Sequence, residues 1–592
     1  MRAGPARRQY GVRLRPDMTP LRTLALLFCV YAAHALPRSA CEAEAPLARV
    51  ESGLLRGARR VADDGTEYAS FRGVPYAKQP LGELRFKELE PPEPWDDCLD
   101  AINEGPICFQ TDILYGKLMQ PQGEKDPSNG EKSQCRGQEA CLHANIHVPL
   151  DCKAGRVAKT RPRLPILVFI HGGGFAFGSG DADLHGPEYL VSKKVIVITF
   201  NYRLNVFGFL SLNTTQIPGN AGLRDMVTLL RWVRRNAEAF GGDPDNVTIA
   251  GQSAGSVATH LLALSKATKG LFKRAILMSG TATTNFFSPS PFFAQYLANQ
   301  LQTLLGITST DPEDIQRQLT ELPAEKLCEA NSILLDQIGL TTFTPVVESP
   351  LPGVETIVDD YPDTLVAKGR NKDIPLLVGY TSDECVTFRN RLETFNITEK
   401  IQQNPKIVVP PKILFSTPPD LHMDLAKKID RAYYNDTTST TLDNFIQFCT
   451  EGFYEYDALK LSEERARVGG APLYLYQFSY ESPSSVIKQE MGPNYKGVGH
   501  IEDLTYVFKV NSVVGTPGSI PPKPTDILMK DLMTDFVVNF MTCSKPICDD
   551  VHSRWTAGSG YEDIESPAVY QIKKLSPRQR EIIQFFDSLS VI

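Results

Sequence analysis

The chain has 592 residues, of which 42% are hydrophobic and 22% charged, so it carries enough apolar material for a large core. Its formal net charge of −7 gives no sign of a basic surface, and we therefore expect no nucleic-acid partner. We find no internal repeat, low-complexity linker or sustained heptad pattern, and large α/β folds of this length often form one domain.

The N-terminal 35 residues have the pattern of a targeting segment. Leu24 to Ala33 is an apolar run too short to cross a bilayer, and Ala33-His34-Ala35 offers small residues at the positions that a signal peptidase reads. We expect a signal peptide over residues 1–35, with Met18 as an alternative start, and a single domain over 36–592. No later run reaches membrane length, so the sequence predicts a secreted protein without a membrane anchor.

A secreted destination favours disulfide bonds and glycosylation. Removing Cys29 with the signal leaves eleven cysteines, an odd number, so at least one thiol stays unpaired within the chain. Cys543 and Cys548 are close enough to pair, which spacing alone leaves open. Spacing assigns no partner to seven others: Cys41, Cys98, Cys135, Cys152, Cys328, Cys385 and Cys449. Sequons predict glycosylation at Asn213, Asn396 and Asn435, whereas Asn246 begins a predicted strand.

Strand and helix patterns alternate through the middle of the chain. Short apolar runs at Ile166 to Ile170 and Val195 to Phe200 are typical of buried strands, and residues 221–239 carry apolar side chains at helical spacing. This alternation predicts an α/β fold, a mostly parallel sheet with helices on both faces. Residues 285–345 and 385–460 are mainly helical and loop-like, and we expect them to form insertions over the active site.

Three consecutive glycines follow the strand Ile166 to Ile170, in the stretch His171-Gly172-Gly173-Gly174. Consecutive glycines leave backbone N–H groups free to point at one oxygen, as an oxyanion hole requires. The alternative interpretation is a flexible loop.

The stretch Gly251-Gln252-Ser253-Ala254-Gly255 follows the predicted strand Val247 to Ala250 and precedes Ser256 to Leu264, which can continue as a helix. A strand that turns at once into a helix raises the central serine into a strained, exposed position. The flanking glycines are needed because side chains there would collide with the turning backbone. The pattern therefore predicts that Ser253 is a nucleophile.

A nucleophilic serine needs a histidine to take its proton and a carboxylate to hold that histidine. Pro375 to Tyr380 is typical of a buried strand and ends close to Asp383 and Glu384, between which the residues alone do not decide. Downstream of Ser253, His500 lies in a glycine-rich loop that can aim an imidazole into a cleft. The pattern places His260 pointing away from the serine and His422 and His552 in polar surroundings.

His143 and His147 stand four residues apart, the spacing at which two helical histidines share a metal ion. The run Leu142 to Val148 is, however, typical of a strand, where four residues span ~13 Å, too far for one ion. We predict no metal and no cofactor.

These motifs resemble the carboxylesterase/cholinesterase family of α/β-hydrolases from about residue 45 onward. Further markers are Gly73-Val74-Pro75-Tyr76-Ala77, Asn201-Tyr202-Arg203-Leu204 and Gly497-Val498-Gly499-His500. Within the family, Gly339-Leu340-Thr341-Thr342-Phe343 is similar to the juvenile hormone esterases of moths. The resemblance implies Ser253 as nucleophile, Glu384 as acid and His500 as base. It also implies an oxyanion hole made by Gly173, Gly174 and Ala254, and a disulfide between Cys108 and Cys141.

Two departures bear on the substrate. Gln252 stands where cholinesterases carry a glutamate, and residues 109–140 lack the tryptophan that holds choline. A cationic choline substrate is therefore not expected. The resemblance implies a monomeric, secreted esterase, present in haemolymph, that hydrolyses the methyl ester of an apolar hormone. The alternatives are a general detoxifying or odorant-degrading esterase and, more remotely, a non-catalytic binding or adhesion protein.

Overall fold

The computed structural model describes residues 45–111, 135–150, 162–338, 341–434, 441–491, 496–515, 519–548, 560–567 and 570–589. The described residues from Pro46 onward form one compact unit. The predicted signal peptide lies outside the described residues. No helix in the described ranges combines the length and apolar character needed to span a bilayer.

A small sheet is formed by β1 (Leu47–Val50), β2 (Gly53–Arg56) and β5 (Cys98–Asp100). The other strands of the described chain belong to one large sheet: β3 (Ala58–Val61), β4 (Glu67–Pro75), β6 (His143–Pro149), β7 (Leu164–Ile170), β8 (Ile196–Phe200), β9 (Gly242–Gln252), β10 (Arg274–Met278), β11 (Leu376–Thr381), β12 (Leu473–Phe478), β13 (Tyr561–Ile564) and β14 (Tyr570–Lys573).

The large sheet has the order β14-β13-β12-β11-β10-β9-β7-β8-β6-β4-β3. Its centre, from β13 to β8, is parallel throughout, and antiparallel pairs occur only towards its edges. Parallel strands require crossover connections, which helices supply here. The fold is an α/β-hydrolase fold, as the sequence predicts.

Helices surround this sheet. They are α1 (Glu188–Val191), α2 (Asn205–Phe209), α3 (Ala221–Asn236), α4 (Ala254–Leu264), α5 (Pro291–Leu304), α6 (Pro312–Glu321), α7 (Ala324–Ile338), α8 (Pro362–Ala367), α9 (Arg389–Thr394), α10 (Ile397–Gln403), α11 (Pro411–Leu414), α12 (His422–Tyr433), α13 (Leu442–Thr450), α14 (Tyr456–Val468), α15 (Val486–Met491), α16 (Pro524–Cys543) and α17 (Pro577–Asp587). A π-helical turn, Glu451–Glu455, joins α13 to α14.

Both faces of the sheet are buried, as strand β7 illustrates. Ile166, Val168 and Ile170 pack into one apolar cluster, whereas Leu167 and Phe169 pack into another on the opposite face. Side chains alternate along a strand, so a run that is apolar at every position must be covered on both sides. This explains why the strand reads as a continuous hydrophobic run.

Strand β9 begins earlier than the apolar pattern predicts. Leu164 pairs with Gly242 and Ile166 with Val247, so the four residues 243–246 of β9 lie opposite one residue of β7. The extra residues form a polar bulge that ends at Asn246, and the regular pairing starts where the apolar run starts. The bulge lies at the opposite end of the strand from Ser253.

Candidate active site

Ser253 stands between β9 and α4 in a conformation that few non-glycine residues adopt. Its backbone angles are φ 58° and ψ −128°, and its N–H donates to the carbonyl of Met278 on the neighbouring strand (2.8 Å). A Cβ at Gly251 would lie 2.2 Å from the carbonyl oxygen of Gly255, and a Cβ at Gly255 would lie 2.0 Å from that of Ile170. Both glycines are therefore required by contact with backbone, and the strain is stored at the serine.

Glu384 and His500 meet at the same end of the sheet. The Nδ1 atom of His500 lies 2.5 Å from Oε2 of Glu384, and both side chains are fully buried. The second carboxylate oxygen accepts the Thr381 N–H (2.8 Å), and the His500 N–H donates to the Glu384 carbonyl (3.0 Å). An ionised carboxylate only accepts hydrogen bonds, so Nδ1 carries the imidazole proton and Nε2 presents a lone pair.

Asp383, the other acid at the end of β11, faces a different direction. Its Oδ2 atom accepts the Ser382 hydroxyl (2.7 Å) and the Val498 N–H (3.4 Å). It thus braces the loop that leads to His500. Glu384 therefore contacts the imidazole of His500, whereas Asp383 accepts a hydrogen bond from the backbone of Val498.

Aromatic rings hold the plane of the His500 imidazole. The ring centroids of Phe388 and Tyr454 lie 5.2 Å and 5.0 Å from its own. The Nε2 atom lies 3.0 Å from the side-chain nitrogen of Gln252, the residue before Ser253. The Ser253 hydroxyl itself forms no hydrogen bond with any described residue. Nothing in the sequence motifs indicated the contact of Gln252 with His500.

The other histidines after Ser253 take no part in this arrangement. His260 is buried in α4, where its Nδ1 accepts the Ala282 N–H (3.0 Å). Burial lowers the pKa of His260 to about 3, so it is neutral. His422 contacts the Thr417 carbonyl on a polar helix end, and His552 lies outside the described residues.

Three backbone N–H groups close to Ser253 are free to bind an oxyanion. Gly173 and Gly174 have φ values of 106° and 61°, and Ala254 is the first residue of α4, where N–H groups have no partner within the helix. None of these three N–H groups has an acceptor among the described residues. Free donors at a helix start beside a nucleophile are what acyl transfer requires.

The glycine run is held in place by its neighbour His171. The Nδ1–H of His171 donates to the Gly172 carbonyl (2.8 Å), and the Tyr202 hydroxyl donates to the His171 carbonyl (2.9 Å). Burial lowers the pKa of His171 to about 4, so the ring is neutral at physiological pH. These hydrogen bonds fix the conformation of the glycine run, so it is not the flexible loop of the alternative interpretation.

A pocket with a volume of about 440 Å³ opens at Ser253. Its polar groups besides Ser253 are Ser279, Thr284 and Thr341, and Gly174 and Gly280 complete the floor. Its walls are aromatic and aliphatic: Val257, Phe286, Phe287, Phe388 and Tyr454. Phe286 and Phe287 come from the start of the predicted insertion 285–345, and Phe388 and Tyr454 from the second insertion.

The π-helical turn and the loop before α5 are bonded to each other at the pocket wall. The Thr284 hydroxyl donates to the Phe453 carbonyl (3.1 Å), and the Asn285 amide donates to the Gly452 carbonyl (3.2 Å). A π turn disturbs the regular helical hydrogen bonds and is frequent at functional sites. Here the turn presents Tyr454 to the pocket.

A second buried acid, Asp503, lies close to Glu384 and His500. The Tyr476 hydroxyl donates to Oδ2 of Asp503 (2.9 Å). Burial, and then the negative charge of Glu384, raise the pKa of Asp503 to about 7. No sequence pattern indicates this role for Asp503, because a carboxylate three residues after a histidine carries no signal of burial.

No cluster of three or more potential metal ligands exists among the described residues. His143 and His147 both lie on β6, and Nδ1 of His147 contacts the Ser70 hydroxyl (3.0 Å). Strand β6 lies between β8 and β4 in the large sheet, and His147 is fully buried there.

Disulfides connect the loops around the sheet. The pairs in the described residues are Cys108–Cys141, Cys135–Cys328, Cys385–Cys449 and Cys543–Cys548, and Cys98 is also disulfide-bonded. Cys41 and Cys152 lie outside the described residues. Of the predicted sequons, Asn213 and Asn396 are exposed, whereas Asn435 is not described. The Asn246 side chain accepts from Arg274 (2.6 Å).

The fold and the site define a serine esterase of the α/β-hydrolase class. The carboxylesterase family model matches residues 44–581, and the chain belongs to that family. It is a serine carboxylesterase, which excludes the non-catalytic alternative.

The chain is similar to particular members of that family. It is 61% identical over 571 residues to the juvenile hormone esterase of Heliothis virescens, covering 96% of this chain and 98% of that protein. It is 32% identical over 527 residues to the juvenile hormone esterase of Tribolium castaneum, covering 85% and 84%. The crystal structure of juvenile hormone esterase from Manduca sexta with OTFP covalently attached superposes with a TM-score of 0.85 at 55% identity, covering 92% of this chain and 99% of that one.

Proposed function

We propose that this enzyme hydrolyses the methyl ester of juvenile hormone to the corresponding acid and methanol. The observation that carries the proposal is the aromatic pocket of about 440 Å³ at Ser253, in a chain 61% identical to the Heliothis virescens juvenile hormone esterase. An apolar ester is the ligand that such aromatic walls favour.

We infer an acyl-enzyme mechanism from the positions of Ser253, Glu384 and His500. The Ser253 oxygen attacks the ester carbonyl while Nε2 of His500 takes its proton. The N–H groups of Gly173, Gly174 and Ala254 bind the negative oxygen that forms. His500 then returns the proton to the departing methoxide, and methanol leaves.

Water completes the cycle by the same route. His500 takes a proton from water, the hydroxide attacks the acyl carbon, and the acid leaves as Ser253 regains its proton. Glu384 keeps the imidazole in one tautomer and stabilises its charged form. All atoms are supplied by ester and water, so the reaction needs no cofactor.

The pocket also provides apolar contacts for the remote chain of the substrate, and a methyl ester conjugated to a double bond needs that binding energy to react. Such an ester is a poor electrophile and methoxide is a poor leaving group, so binding of the remote chain must hold the carbonyl against Ser253. Roughly a dozen buried CH₂ groups at ~0.8 kcal/mol each supply on the order of 10 kcal/mol before ordering costs. The walls of Phe286, Phe287, Phe388 and Tyr454 are positioned for that contact.

We also propose that the enzyme is secreted and acts as a monomer. The four disulfides of the described chain and the exposed sequons at Asn213 and Asn396 support an extracellular destination.

Product analysis tests the reaction directly. Incubation of the purified enzyme with juvenile hormone should release one methanol for each hormone acid, and Ser253→Ala should release neither. Turnover that persists in Ser253→Ala would remove the mechanism. Turnover of simple acetates without turnover of the hormone would instead favour a detoxifying esterase.

A further inference from the structure

Gln252 contacts the one atom of His500 that must move protons. It is the last residue of β9 and is only 2% exposed, and its side-chain nitrogen lies 3.0 Å from Nε2 of His500. The Nδ1 proton of His500 points at Glu384, so Nε2 is an acceptor. An amide oxygen at this position would place its own lone pair against the lone pair of Nε2, which is repulsive. The amide nitrogen, whose N–H can donate to Nε2, therefore occupies this position.

This hydrogen bond uses the lone pair that Ser253 needs. The Ser253 hydroxyl has no hydrogen-bond partner among the described residues, whereas the Gln252 amide occupies Nε2. In the free enzyme the base is therefore held by the residue next to the nucleophile. Acylation requires the amide to yield Nε2 to the serine.

Gly172 in the glycine run leaves the space that Gln252 fills. A Cβ at Gly172 would lie 2.8 Å from the Gln252 carbonyl oxygen, 2.9 Å from its Oε1 and 3.0 Å from Cβ of Ser253. The side chain of Gln252 thus lies between His500 and the loop of the oxyanion hole. Its amide oxygen faces that loop while its nitrogen faces the imidazole.

A primary amide can follow the imidazole through both of its protonation states. Its N–H donates to the neutral Nε2, and after rotation about the last side-chain bond its oxygen accepts from the protonated Nε2. A carboxylate could only accept, and so favours the charged imidazole, whereas an apolar side chain supports neither state. Glutamine is the neutral side chain of this length that serves both.

We propose that Gln252 is a positioning residue for His500, holding Nε2 in the free enzyme and supporting the imidazole when it becomes charged. The inference rests on the proposed function because both require His500 as the base. The titratable groups that surround His500 are Glu384, Glu502, Asp503, Tyr454 and Tyr476.

The test compares Gln252→Met, which keeps the length of the side chain but has no amide, with Gln252→Glu, which keeps its shape and adds a charge. We expect Gln252→Met to lower kcat about five- to tenfold, because the imidazole that becomes charged in the transition state loses one hydrogen-bond acceptor, with KM within about twofold. In Gln252→Glu the acid limb of the kcat/KM profile should move to higher pH by about one unit, because a carboxylate at Nε2 favours the charged imidazole.

A purely space-filling role predicts a different pattern. Both variants would then keep the wild-type acid limb and kcat within about twofold, and that result would overturn the proposal. If Gln252→Met does not fold, the pH profile of the isosteric Gln252→Glu decides alone. Ser253→Ala in the same assay distinguishes failure of the mechanism from failure of the positioning role. Activity that persists in Ser253→Ala refutes the mechanism. If Ser253→Ala is inactive and both Gln252 variants behave like the wild type, only the positioning role is refuted.

Discussion

The Nδ1 atom of His500 lies 2.5 Å from Oε2 of Glu384, although the two residues are 116 positions apart in the chain. Asp383, the neighbour of Glu384, instead binds the Ser382 hydroxyl and the Val498 N–H. This difference makes the identity of the acid testable by a matched pair of isosteric amides.

Glu384→Gln should lower kcat by about 10⁴, by analogy with the corresponding change in serine proteases, because the amide no longer enforces the Nδ1–H tautomer. Asp383→Asn removes a charge of the same kind one residue away and should cost far less. Steady-state kinetics of both proteins, with thermal unfolding as a control for folding, decide the matter. A larger loss in Asp383→Asn than in Glu384→Gln would show that the acid is misassigned.

The oxyanion hole proposed at Gly173, Gly174 and Ala254 makes a second prediction. A Cβ at Gly173 would lie 2.0 Å from the Phe177 carbonyl oxygen, so Gly173→Ala must displace the loop and its N–H donor. Loss of one such donor costs on the order of 10²–10³ in kcat. Gly65→Ala is the matched control, because Gly65 also has a positive φ of 86° but no neighbour near the added Cβ. Unchanged kcat in a folded Gly173→Ala enzyme would exclude this N–H as a donor.

How far the sequence predicts this molecule depends on how local each feature is. The turn at Ser253 is encoded by a strand, a pentapeptide and a helix that are contiguous, so the motif predicts it. The choice between Asp383 and Glu384 depends on how the loop that carries His500 packs against the end of β11. No local sequence pattern contains that information. The contact of Gln252 with His500 spans 248 residues, and the Cys135–Cys328 disulfide spans 193.

The pocket was predictable only in outline. The sequence predicts insertions over the active site, and Phe286 and Tyr454 in the pocket wall come from those insertions. The π-helical turn that carries Tyr454 has no sequence signature, since it is stabilised by Thr284 and Asn285 from a distant loop. Similarly, the bulge in β9 follows from its pairing with β7 and not from its own residues.

Peptide mapping without reduction tests the disulfide pairing. We expect the secreted protein to contain the pairs Cys108–Cys141, Cys135–Cys328, Cys385–Cys449 and Cys543–Cys548. Because eleven cysteines remain after the signal, at least one free thiol should also be detected, outside these pairs. A reduced Cys108 in the native protein would contradict both the pairing and the oxidising destination.

Asp503 makes the stability of the fold depend on pH. Burial and the charge of Glu384 raise its pKa to about 7 in the folded protein, above its ordinary value of 3.8. The neutral carboxyl therefore stabilises the fold fully below about pH 4, and this stabilisation is lost as the pH rises through about 7. Asp503→Asn keeps a neutral side chain, so its Tm relative to the wild type should increase between about pH 4 and pH 8.

The exposed Asp420 provides the control for that experiment. Asp420→Asn removes a carboxylate without changing a buried charge, so its Tm difference from the wild type should stay flat across the same range. A flat difference for Asp503→Asn as well would show that this carboxyl is not held neutral in the fold.

We propose that the apolar pocket beside Ser253 selects the methyl ester of a long terpenoid, and kcat/KM measured across a series of methyl esters tests this selectivity. Each additional buried CH₂ contributes ~0.8 kcal/mol, so kcat/KM should rise about fourfold per CH₂ of the acyl chain until the apolar walls of the pocket are covered. Juvenile hormone should be the best substrate of the series, and acetylcholine a negligible one. Equal or faster turnover of short acetates would contradict the account and indicate a general esterase.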